Sequence, residues 1–351
     1  MSRSELTGKV QTVLGLIAPE DLGITLPHEH LVSNGSCWFV EPGEATEKAM
    51  VHHPVTLDIL WWLRYHLFQN MDDLLLLDEQ EAIKEAIQFK LAGGNSIVEL
   101  SNIGLGRDHA ALARISRATG LNVIMGSGYY LAVSHGPEMD AKTEEEITDE
   151  IVRDIMVGVG SSGIRSGIIG EIGCSWPLAD NERKSLRAAA RAQQLTGAAL
   201  NVHPGQSEEA AMEIVKILDD AGADLTRTVI DHIDRAVRNP ENRIKLAKTG
   251  CYLECDLFGR EGYYPIHHRI IDLPNDAQRI NEITELINKG YLNQMLISQD
   301  IWNKAQRCAY GGWGYAHILR DTLPVMRVKG MTEEQIHTIM VENPRRLLTF
   351  I

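Results

Sequence analysis

Eight short apolar runs recur along this chain, most of them followed by a charged, amphipathic stretch and then a glycine. The runs lie at 23–26, 96–100, 122–125, 167–171, 199–203, 228–232, 251–256 and 295–298. Most are near-continuously apolar rather than alternating, as expected of parallel strands covered on both faces. The intervening stretches 78–92, 143–157, 181–195 and 207–218 read as helices. In the first, Ala82, Ile83, Ala86, Ile87 and Leu91 fall at helical spacing. The second opens on acidic residues suited to a helix N-terminus. Gly93, Gly94, Gly120, Gly197, Gly222, Gly250 and Gly290 each stand between a helix and the next strand. Glycine suits that helix-ending position because it accepts positive φ. Eight strand–helix units are the number that closes a (β/α)8 TIM barrel of the α/β class. We expect one such domain over 1–351, since no linker or shift in composition divides the chain. A doubly wound open sheet shares the alternation, but it leaves the following pattern unexplained.

Histidines and acids gather at the C-terminal ends of the expected strands. His28 and His30 follow the first, two residues apart, so in extended chain both rings point to one side. Glu171 ends the fourth strand, His203 the fifth and His232 the sixth, and Asp300 follows the eighth. In a barrel these ends converge on one mouth. Singly, each has an ordinary reading: H-x-H recurs by chance, a lone strand-end His is usually structural, and Glu171 could cap a helix. Matched positions on five strands are hard to explain by packing alone. Four imidazoles and two carboxylates suit a pair of divalent ions such as Zn2+, with a bridging water as nucleophile. Asp300 would be both ligand and general base. The chemistry is hydrolysis of an ester or amide.

Charge narrows the partners. The 351 residues carry a formal net charge of −14. A field of that sign disfavours nucleic acid and anionic membrane, and leaves a small-molecule substrate as the expected partner. A homodimer stays open. The first ten residues are polar, no run is long enough to span a membrane, and the five cysteines are an odd number, all of which fits reduced thiols in the cytoplasm. Cys251 and Cys255 lie within a strand-like run and read as small core residues.

Longer stretches carry a specific likeness. The chain resembles the phosphotriesterase family of the amidohydrolase superfamily, and most of all its phosphotriesterase-related branch. The likeness runs through Gly8–Gly15, Leu26-Pro27-His28-Glu29-His30, Gly167–Leu178, Tyr310–Leu319 and Glu342-Asn343-Pro344. It implies that His28, His30 and Asp300 hold a buried metal and His203 and His232 a more exposed one. Where phosphotriesterases bridge the ions with a carboxylated lysine, this chain has Glu171, as that branch does. This departure argues against phosphotriesters as the native substrate. The lactonases of the family carry Asp-Arg-Tyr-Gly after the seventh strand. Here the residues are Asp256-Leu257-Phe258-Gly259, so the arginine is missing. Tyr130 matches the tyrosine that lactonases place beside the metals, and otherwise reads as a core or rim aromatic. The branch implies N-acyl amides, with N-acetyltaurine foremost. A lactonase or aryl-ester or phosphotriester hydrolase is the enzyme alternative, and a small-ligand binding protein on the same scaffold the non-enzyme one.

Arg235 stands three residues past His232, where a guanidinium could pair with a carboxylate or sulfonate of the substrate. A surface salt bridge is the plain alternative. His52, His53, His66, His109, His267, His268 and His337 have no ligand-like placement, although His267 and His268 fall in a long loop that could cover the mouth. His317 reads as structural. Trp302 could line a pocket, as could Trp61 and Trp62, which read equally well as packing residues.

Overall fold

The computed structural model describes residues 1–266 and 269–351, so the expectation placed on His267 and His268 falls outside the described residues. Its centre is one eight-stranded sheet of β1 (Thr25–Glu29), β2 (Ser96–Glu99), β3 (Asn122–Ser127), β4 (Ile168–Gly173), β5 (Leu200–His203), β6 (Thr228–Ile230), β7 (Tyr252–Cys255) and β8 (Met295–Ile297). The strands neighbour one another in chain order, and every pairing is parallel. Side chains join the two ends of the order. Ser298 Oγ accepts the His28 N–H at 3.2 Å and lies 2.8 Å from the Glu29 carboxylate. Glu29 also accepts the backbone N–H groups of Gln299 and Ile301, each at 2.9 Å. This is the barrel that the sequence led us to expect, and no open sheet is needed.

Helices return the chain between strands: α1 (Glu79–Leu91), α2 (His109–Thr119), α3 (Glu144–Met156), α4 (Asp180–Thr196), α5 (Ala210–Asp220), α6 (Pro240–Ala247) and α7 (Asp276–Asn288). Asp78 and Asp108 cap α1 and α2 by accepting N–H groups of the first turn. Gly120 and Gly197 end α2 and α4 in the left-handed region, at φ 67° and 73°. A Cβ on most residues makes that conformation costly.

Strand residues alternate between two cores. Ile97, Val123, Ile169, Leu200 and Ile230 belong to the large cluster shared with the helices. Val98, Ile124, Ile168, Ala199, Val229 and Leu296 form a second, with Val10, Leu347 and Leu348. The second is the filling of the barrel, contributed to by a hairpin strand (Val10–Thr12) and the last helix (Asn343–Leu348). The long segment between β1 and β2 makes its own small core, where Trp62 packs with Val55, Ile59 and Leu63 while Trp61 is exposed. Among the described residues no helix is long and apolar enough to cross a membrane.

Candidate metal centre

Local irregularities in the strands aim the ligands. The ladder between β1 and β2 slips between Leu26 and Glu29, around His28. The ladder between β4 and β5 slips between Ile169 and Ile172, around Glu171. Such slips re-aim side chains. Gly170 beside Glu171 has φ 126°, and a Cβ there would meet the Asn201 carbonyl oxygen at 2.4 Å. His232 and Asp300 are the two non-glycine residues with positive φ in the described chain, at 48° and 46°. The boundaries also move: His28 lies inside β1 rather than after it, and His232 stands two residues beyond β6.

All six expected ligands meet, and all are buried. Glu171 sits between two pairs. Its Oε1 is 2.5 Å from His203 Nδ1 and 3.2 Å from His232 Nε2. Its Oε2 is 3.7 Å from His28 Nε2 and 3.8 Å from His30 Nε2. Asp300 Oδ1 closes the second group, 3.2 Å from His30 Nε2 and 3.6 Å from His28 Nε2. Two ligand atoms on one tetrahedral zinc, with bonds of about 2.0–2.1 Å, stand roughly 3.3 Å apart. The His28, His30, Asp300 and Glu171 separations match that span. His28 Nε2 is buried without a hydrogen-bond partner, a costly state that a cation there would relieve. The donor set therefore fits a divalent metal at His28, His30 and Asp300. The His203 and His232 side is tighter, at hydrogen-bond distance, and would open by several tenths of an ångström to hold a second ion.

Further groups hold the rings in register. His232 Nδ1 is 2.7 Å from Asp256 Oδ1, which leaves Nε2 for Glu171. His30 Nδ1 is 3.0 Å from Ser101 Oγ. Beneath His28 lie Asp256, Asp231 and Glu254, with carboxylate oxygens 3.3, 3.4 and 3.7 Å from Nδ1. Carboxylates behind ligating histidines fix the tautomer and raise ligand basicity. Burial lowers the proton affinity of His203, down to about 4, so its ring is neutral and able to ligate. At His232 burial works the same way, but the Asp256 carboxylate outweighs it and lifts the ring to about 9. Glu171 would be raised by burial, yet the facing His203 and His28 hold it well below the usual carboxylate range.

The centre opens into a chamber of about 30 Å³ lined also by Trp38, Tyr130, Arg235 and Trp302. Tyr130 Oη accepts the indole N–H of Trp38 at 3.3 Å and stands 3.5 Å from His203 Nδ1. Arg235 is buried, not part of a surface salt bridge, and donates to His203 Nε2 at 3.0 Å and to the Pro204 carbonyl at 3.4 Å. Leu257, at the position of the lactonase arginine, is buried in a small core with Leu67, Phe68, Leu74 and Leu273. His317 pairs with Asp276 at 2.7 Å and is structural, as expected. Sequence reasoning assigned no role to Asp231, Ser101 or Trp38. Asp231 precedes a ligand and Asp256 directly follows β7, a signal that was available. Ser101 and Trp38 carry none, because only tertiary packing brings them to the site.

The sequence model of the phosphotriesterase family matches residues 8–348. The chain belongs to the phosphotriesterase family. It is 41% identical over 348 residues to an N-acetyltaurine hydrolase of Bos taurus, covering 99% of each. It is 44% identical over 347 residues to a phosphotriesterase-related protein of Nematostella vectensis, covering 98% of this chain and 99% of that one. Among solved structures it is similar to a resiniferatoxin-binding protein from Rhodobacter sphaeroides, with a TM-score of 0.94, 37% identity, and 99% and 98% of the two chains covered. This member of the phosphotriesterase family is a hydrolase of the phosphotriesterase-related type, and its His, Asp and Glu clusters could hold metal.

Proposed function

We propose that this enzyme uses two divalent ions, Zn2+ in the first instance, to hydrolyse a small anionic N-acyl amide such as N-acetyltaurine. The observation that carries the reading is Glu171, with one carboxylate oxygen facing His203 and His232 and the other facing His28 and His30. A glutamate so placed would hold a cation through each oxygen, without a carboxylated lysine. The substrate follows from relatives named for N-acetyltaurine hydrolysis at about 41% identity, together with a guanidinium in the chamber wall.

When bound, the ions polarise the scissile carbonyl and make a water acidic enough to attack it. The chain's own groups do the rest. Asp300 takes up a proton on its carboxylate and returns it to the leaving amine. Tyr130, which lines the chamber beside His203, donates its hydroxyl to the substrate oxygen. Arg235 pairs with the substrate's sulfonate or carboxylate. The partner is a small molecule, and a homodimer is compatible with this scheme. The test is release of taurine from N-acetyltaurine by chelated and by metal-restored protein, with a lactone and paraoxon alongside. Turnover of N-acetyltaurine that returns with metal supports the reading, and hydrolysis of the lactone or paraoxon alone overturns it.

A second reading has one specific observation behind it. The Rhodobacter sphaeroides structure is described as a resiniferatoxin-binding protein. A binding protein on this scaffold would take up a ligand without turnover and without need of metal.

A further inference from the structure

The chamber at the metal centre holds about 30 Å³, too little for a long chain. A second cavity of about 390 Å³ lies alongside. The two share Trp38 and His203 as walls. Trp38 is pinned there by its N–H to Tyr130 and by a stack on Phe68, with ring centres 5.3 Å apart. The Trp38 ring therefore stands between the two spaces, which meet at its edge and at His203.

The larger cavity is mostly apolar, with Ser175, Glu182, His203 and Gln206 as its polar members. Leu131, Val133 and Trp176 line it beyond Trp38, and among the described residues no lysine or arginine does. It has one carboxylate, Glu182, which is fully engaged. That group accepts the N–H of Ala132, Ser175 and Ala179, each at 2.9 Å, and the Ser175 hydroxyl at 2.7 Å. Glu182 thus ties the loops after β3 and β4 into a rim, its oxygens turned to these donors. Val133 is 66% exposed on that rim. The cation of the site, Arg235, lines the chamber and not this cavity. The two ends of a substrate thus have different seats, an anion at Arg235 and an aliphatic group beyond Trp38.

We propose that the cavity beyond Trp38 seats an aliphatic acyl chain, so that the enzyme prefers N-acyl amides with acyl groups longer than acetyl. The proposal rests on the N-acyl amide reading above and is tested so that the two can fail separately. Metal-free protein, which cannot turn substrate over, is titrated by calorimetry with N-acetyl-, N-butanoyl-, N-hexanoyl- and N-octanoyltaurine. Full burial of a methylene is worth about fourfold in affinity. The expected result is a Kd that falls about two- to fourfold per methylene up to hexanoyl. In Val133→Asp the dependence on chain length flattens, and in Val133→Leu it stays. Circular dichroism of both variants checks the fold. A Kd independent of chain length, an unchanged slope in Val133→Asp, or no binding by any of the four overturns the proposal. Hydrolysis of the same series by metal-loaded enzyme reads the other question. If none is cleaved, the N-acyl amide function fails while the titration still decides the cavity.

Discussion

Nη2 of Arg235 lies 3.0 Å from Nε2 of His203, and the same ring turns Nδ1 to Glu171 at 2.5 Å. A guanidinium has only donors, so Nε2 acts here as the acceptor and Nδ1 carries the ring proton toward the carboxylate. Were His203 to hold a metal at Nδ1, its ring proton would stand on Nε2, opposite the guanidinium. Arg235 then gains more from an anion in the chamber than from the ring. Losing a charge-assisted hydrogen bond to a partly desolvated anion costs roughly 1.5–3 kcal/mol, or about ten- to a hundredfold in kcat/KM. Arg235→Met is expected to lose that much on an anionic N-acyl amide and much less on a neutral ester of similar size. Parallel kinetics on the two substrates decide it, since equal losses would make Arg235 structural.

Glu171 contacts four histidines, two through each oxygen. Glu171→Gln replaces a charge shared by two cations with a neutral amide, which bridges them poorly. Metal content by elemental analysis is expected to fall from about two ions per chain to one or fewer, with turnover falling in parallel. Full metal and full rate in the variant would remove the bridge assignment.

Asp256 is expected to matter through His232. Its carboxylate takes Nδ1 at 2.7 Å and the backbone N–H of the same residue at 3.1 Å. Loss of such a partner costs about ten- to a hundredfold in metal affinity. Chelator competition on Asp256→Asn should show a loss of that size at the ion of His203 and His232 and a smaller one at the ion of His28, whose Nδ1 stands 3.3 Å from Asp256. An equal loss at both, or none, would contradict the role.

The barrel was legible because its signals are local and repeat. Apolar runs, capping acids and helix-ending glycines each constrain a few residues, and eight repeats leave little freedom. The six ligands were legible for a related reason: strand ends converge in this fold, so a His or an acid at each end is already a cluster. Fine placement was not legible. His28 and Glu171 sit at slips in the ladders, and a slip depends on how two distant strands meet. Burial of Arg235 was equally hidden, since the turn Ile233–Ala236 that folds it inward follows a left-handed His232. Leu257 shows the reverse case. The sequence identified the missing arginine, and the structure adds that the position is a packed core in which an arginine would find no exposed surface.

Asp73 offers a test of stability rather than activity. It lies in the segment before α1 and is buried, accepting the Ala305 N–H at 2.7 Å and the Asn303 amide at 3.1 Å. It thereby ties the β1–β2 segment to the loop after β8, next to the chamber residue Trp302. Burial raises its carboxyl to about 7, from an ordinary value near 3.8. The folded protein therefore keeps a proton that the unfolded chain releases. Its contribution to stability is complete below about pH 4 and is lost as pH rises toward about 7. Asn at this position is neutral at every pH and keeps one acceptor for the Ala305 N–H. The melting temperature of wild type relative to Asp73→Asn should be highest at about pH 4, fall steadily from there to about pH 7, and shrink to nothing or reverse by about pH 8. A difference that does not change across that interval would show that Asp73 is ionised in the folded protein throughout.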